Sequence, residues 1–287
     1  IGSMIDEDSG RYYAMIDYFT TDNTLTNANG NYILGFIVTG KEGQRIDCFC
    51  DGAYTTMESY GIAGWDKGST NGTISDMACA NNILVVGSYN TRDEWGSLDG
   101  GVYSYQGAFP YGKMSAFTSY GTLIDGRNLP HICAPGATVI SSSNMYYIDA
   151  YAKEYGDMDN ALQAKYIEDN HNNYWHQQIG TSMATPVVAG GIALWLEADP
   201  TLTIDDVKDI IAKTAIVDAD VTGSGDPIQW GAGKFDAYAG LKEVLNRKAG
   251  IGNVIADDNN RLLINSNGNN YYNIFLSGAN AINATIY

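Results

Sequence analysis

Residues 182–197, SMATPVVAGGIALWLE, constrain the fold more than any other stretch. They are small or apolar on nearly every side of a helix, so the helix has no face to give to water and is expected to be buried. Gly190 and Gly191 would let it lie close against a sheet. Pro186 is read as part of the first turn, where a helix does not need that N–H. A buried helix needs neighbouring layers, and the flanking text supplies them. Residues 82–88 (NILVVGS) and 137–142 are short apolar runs with turn residues around them, and they read as strands of a parallel sheet. After residue 200, Thr203 with Asp206 three positions on marks a helix start. Ile204, Val207, Ile210 and Ile211 then form one apolar stripe. A third helix is predicted over 236–245. Strands followed by helices in this way indicate an α/β layer structure.

The two ends of the chain have a different character. Residues 12–18, 32–39 and 44–50 are strand-like, with Asn-Gly, Lys-Glu-Gly and Asp-Gly between or after them. Residues 262–264 and 272–276 read as strands in a tail rich in Asn and Gly. The expected division is therefore 1–72 (β-rich), 73–248 (α/β) and 249–287 (β tail). The formal net charge of −17 over 287 residues repels phosphate backbones and argues against a nucleic-acid partner. No apolar run reaches the ~18–20 residues that span a bilayer. The four cysteines, Cys48, Cys50, Cys79 and Cys133, fit neither a zinc pattern nor a disulfide scaffold. They are expected as buried free thiols, with Cys48 and Cys50 on one face of a strand. The first residue is Ile1, and no leader-like segment follows it, so an upstream segment is expected to have been removed.

The long apolar helix also carries the strongest candidate for chemistry. Gly180-Thr181-Ser182-Met183-Ala184-Thr185-Pro186 places a serine where the helix opens. The first N–H groups of a helix have no partner inside it, and the positive end of the dipole favours negative charge. A serine there can attack a carbonyl while its own N–H helps hold the developing oxyanion. A lone serine at this place reads as an N-cap. The whole string is far more specific.

That string resembles the active-site serine signature of the subtilisin family of serine peptidases, the subtilases. Other matches fall in the family's order. Residues 83–88 are similar to the strand written VIAVGA, and residues 115–121 resemble S-x-F-S-S-x-G. Residues 129–136 resemble K-P-D-I/V-x-A-P-G, with His131 where Asp is common. Residues 231–237 are similar to the segment before the last helix. The resemblance implies a subtilisin-like α/β fold, a parallel sheet with flanking helices. This chain would hold its C-terminal half, preceded by a β-rich insertion and followed by a short β tail. Some subtilases of anaerobic bacteria carry such an insertion. The tail from Ile255 resembles the start of the sorting domains of secreted Bacteroidetes proteins. The implied function is a secreted or cell-surface serine endopeptidase that cleaves protein or peptide substrates through an acyl-enzyme on Ser182. No cofactor is required. Calcium is common in the family, and no residue here can be named for it.

The family's other catalytic motifs precede its serine: an aspartate in D-S/T-G, a histidine in H-G-T-H and an oxyanion asparagine after small residues. Asp8-Ser9-Gly10 follows Asp6-Glu7 rather than an apolar strand and reads as a turn. His131 lies just before a strand, and His171 reads as a loop residue. His176, six residues before Ser182, is expected to line the cleft or lie at the surface rather than act as the base. The histidine and aspartate are therefore expected from a missing N-terminal half of the same protein, and this chain alone is expected to be nearly inert. The competing reading is a non-catalytic relative that binds peptides or glycans at a cell surface. Residues 143–175, with six tyrosines, are longer than the family's connection. Residues 158–168 are a candidate helix there, and the segment is a candidate peptide-binding rim.

Overall fold

The computed structural model describes residues 2–5, 12–15, 36–44, 46–49, 57–59, 61–168, 171–248, 251–256 and 262–266. The chain divides into two units, residues 1–49 and 50–287. In the first, β1 (Gly2–Ile5) and β2 (Tyr12–Met15) form an antiparallel pair in which Gly2 faces Met15. The strand expected over 12–18 is present as β2. Residues 36–40 and 46–49 form no strand, and Phe36, Ile37 and Phe49 are exposed. An alternating apolar run becomes a strand only where a second strand takes up its N–H and C=O groups. Cys48, expected to be buried on a strand face, is exposed for the same reason, whereas Cys133 is buried. Cys50 lies outside the described residues, as do Asp8 and the strand expected at 272–276.

The second unit opens with β3 (Val86–Asn90), β4 (Glu94–Gly96), β5 (Val102–Ser104), β6 (Gly121–Thr122), β7 (Asn128–Leu129), β8 (Ile132–Ala137) and β9 (Val139–Ser143). Then come α1 (Met145–Tyr155), β10 (Leu162–Glu168), β11 (His171–Gln178), α2 (Thr181–Ala198) and α3 (Ile204–Thr214). The short α4 (Ala219–Thr222), α5 (Ala237–Lys248), β12 (Ile251–Ala256) and β13 (Leu262–Ser266) complete it. β3 and β8 pair in parallel, Val86 opposite Ile132 and Ser88 opposite Ala134. Among the described residues no further strand joins this sheet. The outer edge of β3 is partly closed by a loop: Ser115 N–H donates to Ser88 O (3.0 Å) and Asn90 N–H to Lys113 O (2.8 Å).

α2 packs on both parallel strands, and α5 packs on α2. Ile132, Ala134, Ala184, Val188, Trp195, Ile210 and Val244 form one buried core between these elements. Trp195 is its largest member. Its ring lies 5.4 Å from that of Phe235, and its Nε1–H donates to Ala237 O (2.8 Å). Gly240 of α5 faces the ring, and a Cβ there would overlap it. α3 has the expected capping box. Thr203 Oγ1 accepts from Asp206 N–H, and the Asp206 carboxylate accepts from Thr203 N–H.

α2 corrects the expectation of a helix buried all round. Ala184, Val188, Gly191 and Trp195 form one buried stripe. On one flank of that stripe Val187 and Leu194 are 38% and 52% exposed, and on the other Leu196 is 39% exposed. Gly191 lies against Phe235 and Ala237 as a close-packing glycine should, but Gly190 faces open space. Apolar character all round a helix cannot say which side its own chain will cover.

The connection before α2 is a second, smaller assembly. β9, β11 and β10 form a three-stranded antiparallel sheet with β11 in the centre. α1 packs on it through Ile148, Leu162 and Tyr174. The helix expected over 158–168 is not there. Leu162–Glu168 is strand β10, and the helix comes earlier, capped by Asn144, whose Oδ1 accepts from Tyr146 N–H (2.8 Å). Pairing with β11 decides the state of 162–168, because each backbone group gains a cross-strand partner there.

Candidate active site

Ser182 owes its place to two glycines. Gly180 caps α2 with φ 142°, a backbone that L side chains rarely adopt. Its N–H donates to Gly136 O at 2.8 Å. A Cβ on Gly136 would overlap Ser88 Oγ and Gly180 O. The turn before the serine is thereby seated on the C-terminal end of β8, beside β3. That is where open α/β sheets place their binding crevice.

Ser182 is exposed, and its hydroxyl has no hydrogen-bond partner among the described residues. The N–H groups of Met183 and Ala184 turn back to Gly180 O, at 2.9 and 3.4 Å. Those of Thr181 and Ser182 find no acceptor among the described residues, so the helix start keeps donors free at the serine. Pro186 is the sixth residue of α2, not part of its first turn. It therefore removes the i→i−4 donor that Ser182 O would otherwise have. The hydroxyl opens on a cleft of about 440 Å³. Met183, Pro186 and Val187 wall one side, with β9, His176 and Gln178 around the rest.

The structure brings His176 into the same cleft as Ser182, but no hydrogen bond joins them. On β11, His176 faces Ser141 of β9, and its Nδ1 lies 3.4 Å from Gln178 Nε2. Burial holds its pKa below the usual histidine range. His171, read as a loop residue, instead opens β11 and pairs with Glu168. His131 precedes β8 and so stands at the opposite end of that strand from the serine. Among the described residues no cluster of His, Cys, Asp or Glu is placed to hold a metal ion.

Sequence reasoning missed the polar support behind the serine. Ser88, Asn90 and Ser115 are fully or almost fully buried. Ser115 Oγ donates to Asn90 Oδ1 and lies 2.7 Å from Ser88 Oγ. With its one hydrogen used on Asn90, Ser115 must accept from Ser88. The network holds the end of β3 against the loop at 110–115, and Asn90 Nδ2 adds a bond to Pro110 O (3.2 Å). Polar residues at alternate positions of an apolar strand were the available signal. A second missed feature is Lys234, buried between Asp218 (2.7 Å) and Asp220 (3.2 Å) and over the rings of Tyr89 and Trp230. Burial disfavours its charge, yet the two carboxylates overcome this and hold the ammonium above the usual lysine range.

Comparison with known proteins gives a consistent relationship. The model of the subtilase family matches residues 9–252. Serine protease AprX of Bacillus subtilis is 29% identical over 177 residues, which are 61% of this chain and 33% of that protein. The C5a peptidase of Streptococcus pyogenes is 29% identical over 135 residues, 44% of this chain and 9% of that protein. The chain thus spans about a third or less of the length of these two relatives. Among solved structures, the CspB protease of Clostridium perfringens aligns with a TM-score of 0.41 at 22% identity, covering 63% of this chain and 31% of that one. Fervidolysin of Fervidobacterium pennivorans aligns with a TM-score of 0.30 at 20% identity, covering 56% and 22%. With the family match running through most of its length and the serine signature at an open helix start, this chain belongs to the subtilase family.

Proposed function

We propose that this chain is the serine-bearing part of a secreted or cell-surface endopeptidase, with Ser182 as nucleophile. The observation that carries the reading is the state of Ser182: an exposed hydroxyl in a cleft, at a helix start with free N–H donors. In this reading Ser182 Oγ attacks the scissile carbonyl and loses its proton to a histidine that an aspartate orients. The negative charge on the carbonyl oxygen is held by the Ser182 N–H and the helix dipole. The collapsing intermediate releases the amine product and leaves an ester on Ser182, which water then hydrolyses.

The base and its carboxylate belong, in this proposal, to an upstream portion of the same protein. The exposed side of α2 supports this. Val187 and Leu194, seven residues apart on one flank of α2, are both left partly exposed. Covering what remains exposed of each would contribute about 1 kcal/mol. The upstream portion would then supply further strands beside β3, cover this face and bring the histidine to Ser182.

The test is labelling with a fluorophosphonate, which reacts with a serine activated by a base. The 287-residue chain alone should label at the background rate, and the protein with its upstream portion should label stoichiometrically at Ser182. Labelling of the chain alone would make His176 the base. No labelling in either form would favour the non-catalytic binding protein.

A further inference from the structure

At the end of β8 remote from Ser182 lies a cavity of about 390 Å³, within the range of small-molecule sites. Three side chains bring polarity to it: His131, Lys208 and Asn128. All offer hydrogen-bond donors. His131 Nδ1 accepts from Val85 N–H at 2.9 Å, so the neutral ring carries its proton on Nε2. Asn128 Oδ1 is taken by Thr122 Oγ1 (2.7 Å), which leaves its NH₂. Lys208 Nζ has one long contact, to Asn81 O at 3.5 Å, and no carboxylate partner among the described residues. The remaining wall is apolar: Ala212, Pro227 and Ile228 reach its surface, with Pro130 and Ile211 buried behind them.

The charge here runs against that of the chain as a whole. In a protein of net charge −17, Lys208 and Arg127 act on His131 strongly enough to add to burial in holding its pKa below the usual range. Arg127 is already committed to Asp125 and to the carbonyls of Cys79 and Ala80. Lys208 is not. An aspartate at position 131, common in the family's version of this element, would accept from Val85 and stand beside Lys208. Histidine keeps the first contact and leaves the ammonium without a counter-charge.

We infer that this cavity binds an organic monocarboxylate with a compact apolar body, its carboxylate held by Lys208, His131 Nε2–H and Asn128 and its body against Ala212, Pro227 and Ile228. Such a group occurs both in free small acids and at the C-terminus of a peptide ending in an apolar residue. Charge-assisted hydrogen bonds favour the anion, and the volume fits one side chain of amino-acid size.

Calorimetric titration of the full-length protein carrying Ser182→Ala tests this without relying on peptidase activity. The probes are 3-phenylpropionate, N-acetyl-leucine, a tripeptide ending in leucine, and the amide of each. Each acid that fits should bind at least about tenfold more tightly than its amide, the loss expected when a charge-assisted contact is removed. Lys208→Met should weaken binding about tenfold with an unchanged melting temperature. His131→Asp should abolish it while keeping the Val85 bond. Binding of 3-phenylpropionate alone would assign the site to free acids, and binding of the tripeptide would assign it to peptide ends. Equal affinity for acids and amides, an unaltered affinity in Lys208→Met, or no binding of any acid would overturn the inference.

Discussion

The two walls of the Ser182 cleft are built to different depths. α2 rests on a core that extends through β8, α3 and α5, with Trp195 and Ile210 completely buried. The wall opposite, formed from β9 and β11, is backed by α1 through a small cluster of Ile148, Leu162 and Tyr174. Local opening costs least where few apolar groups are buried. The difference teaches that Ser182, the proposed nucleophile, stands on the deeper-packed side, and that the more adaptable side is the one built from the long connection before α2. Under the proposed function, a substrate too bulky for the cleft would be accommodated by movement of β9 and β11, not of Ser182.

The largest contrast should come from the chemistry. In the protein with its upstream portion, Ser182→Ala should lower turnover of a chromogenic peptide by roughly 10⁴–10⁶. Its melting temperature should stay within a degree or two, since the hydroxyl makes no hydrogen bond among the described residues. A variant that keeps full turnover would remove Ser182 from the mechanism.

Next is the core under α2. Trp195→Ala removes the Phe235 contact and the bond to Ala237 O and leaves a cavity. The expected loss is about 3–5 kcal/mol, read from urea unfolding. A loss below about 1 kcal/mol, the range of a surface substitution, would show that the α2 side is no better anchored than the other.

Ile148→Ala probes the opposite wall. It should cost about 2 kcal/mol. Hydrogen exchange should quicken in α1, β10 and β11, while amides of α2 and α3 keep their protection. If exchange rises equally in α2, the two walls form one cooperative unit and the comparison breaks.

The smallest effect is on pH dependence. His131 and His176, one on each side of the comparison, both have pKa values held below the usual histidine range by burial, with Lys208 and Arg127 adding to the effect at His131. Between the folded and unfolded values the unfolded chain binds more protons, so stability rises with pH across that window. Their contribution is full above about 6.5 and is lost as pH falls towards the folded values. The melting temperature should therefore drop between pH 7.5 and 5. The drop should shrink in His131→Asn, and the mobile wall should shed protection first in wild type. A melting temperature that is flat across this range in wild type would mean that both rings are solvated.

Much of this architecture was legible residue by residue. The Thr203–Asp206 cap, the Val207–Ile210–Ile211 stripe and the serine at the head of an apolar helix all follow from interactions spanning a few residues. The chain's own text therefore predicts them. The parallel strand around 86 was likewise visible as a short apolar run, but the run at 137–142, read as its parallel neighbour, is mostly β9 of the antiparallel sheet, and the parallel partner is β8 at 132–137. Leu162–Glu168 was misread because its helical and extended propensities are close, and β11, several residues further on, decided between them.

By itself, then, the sequence determined the family, the start of the serine helix and the position of its free N–H groups, because capping and helix dipoles are local. Only the tertiary structure decided which side of α2 is covered, that Pro186 lies beyond the first turn, and that His176, already expected at the cleft, is drawn to Gln178 and makes no hydrogen bond to Ser182. It also decided that His131 and Lys208, far apart in sequence, meet over one cavity. Burial and the pairing of charges depend on what comes near in space, and distant residues supply that only when the chain has folded.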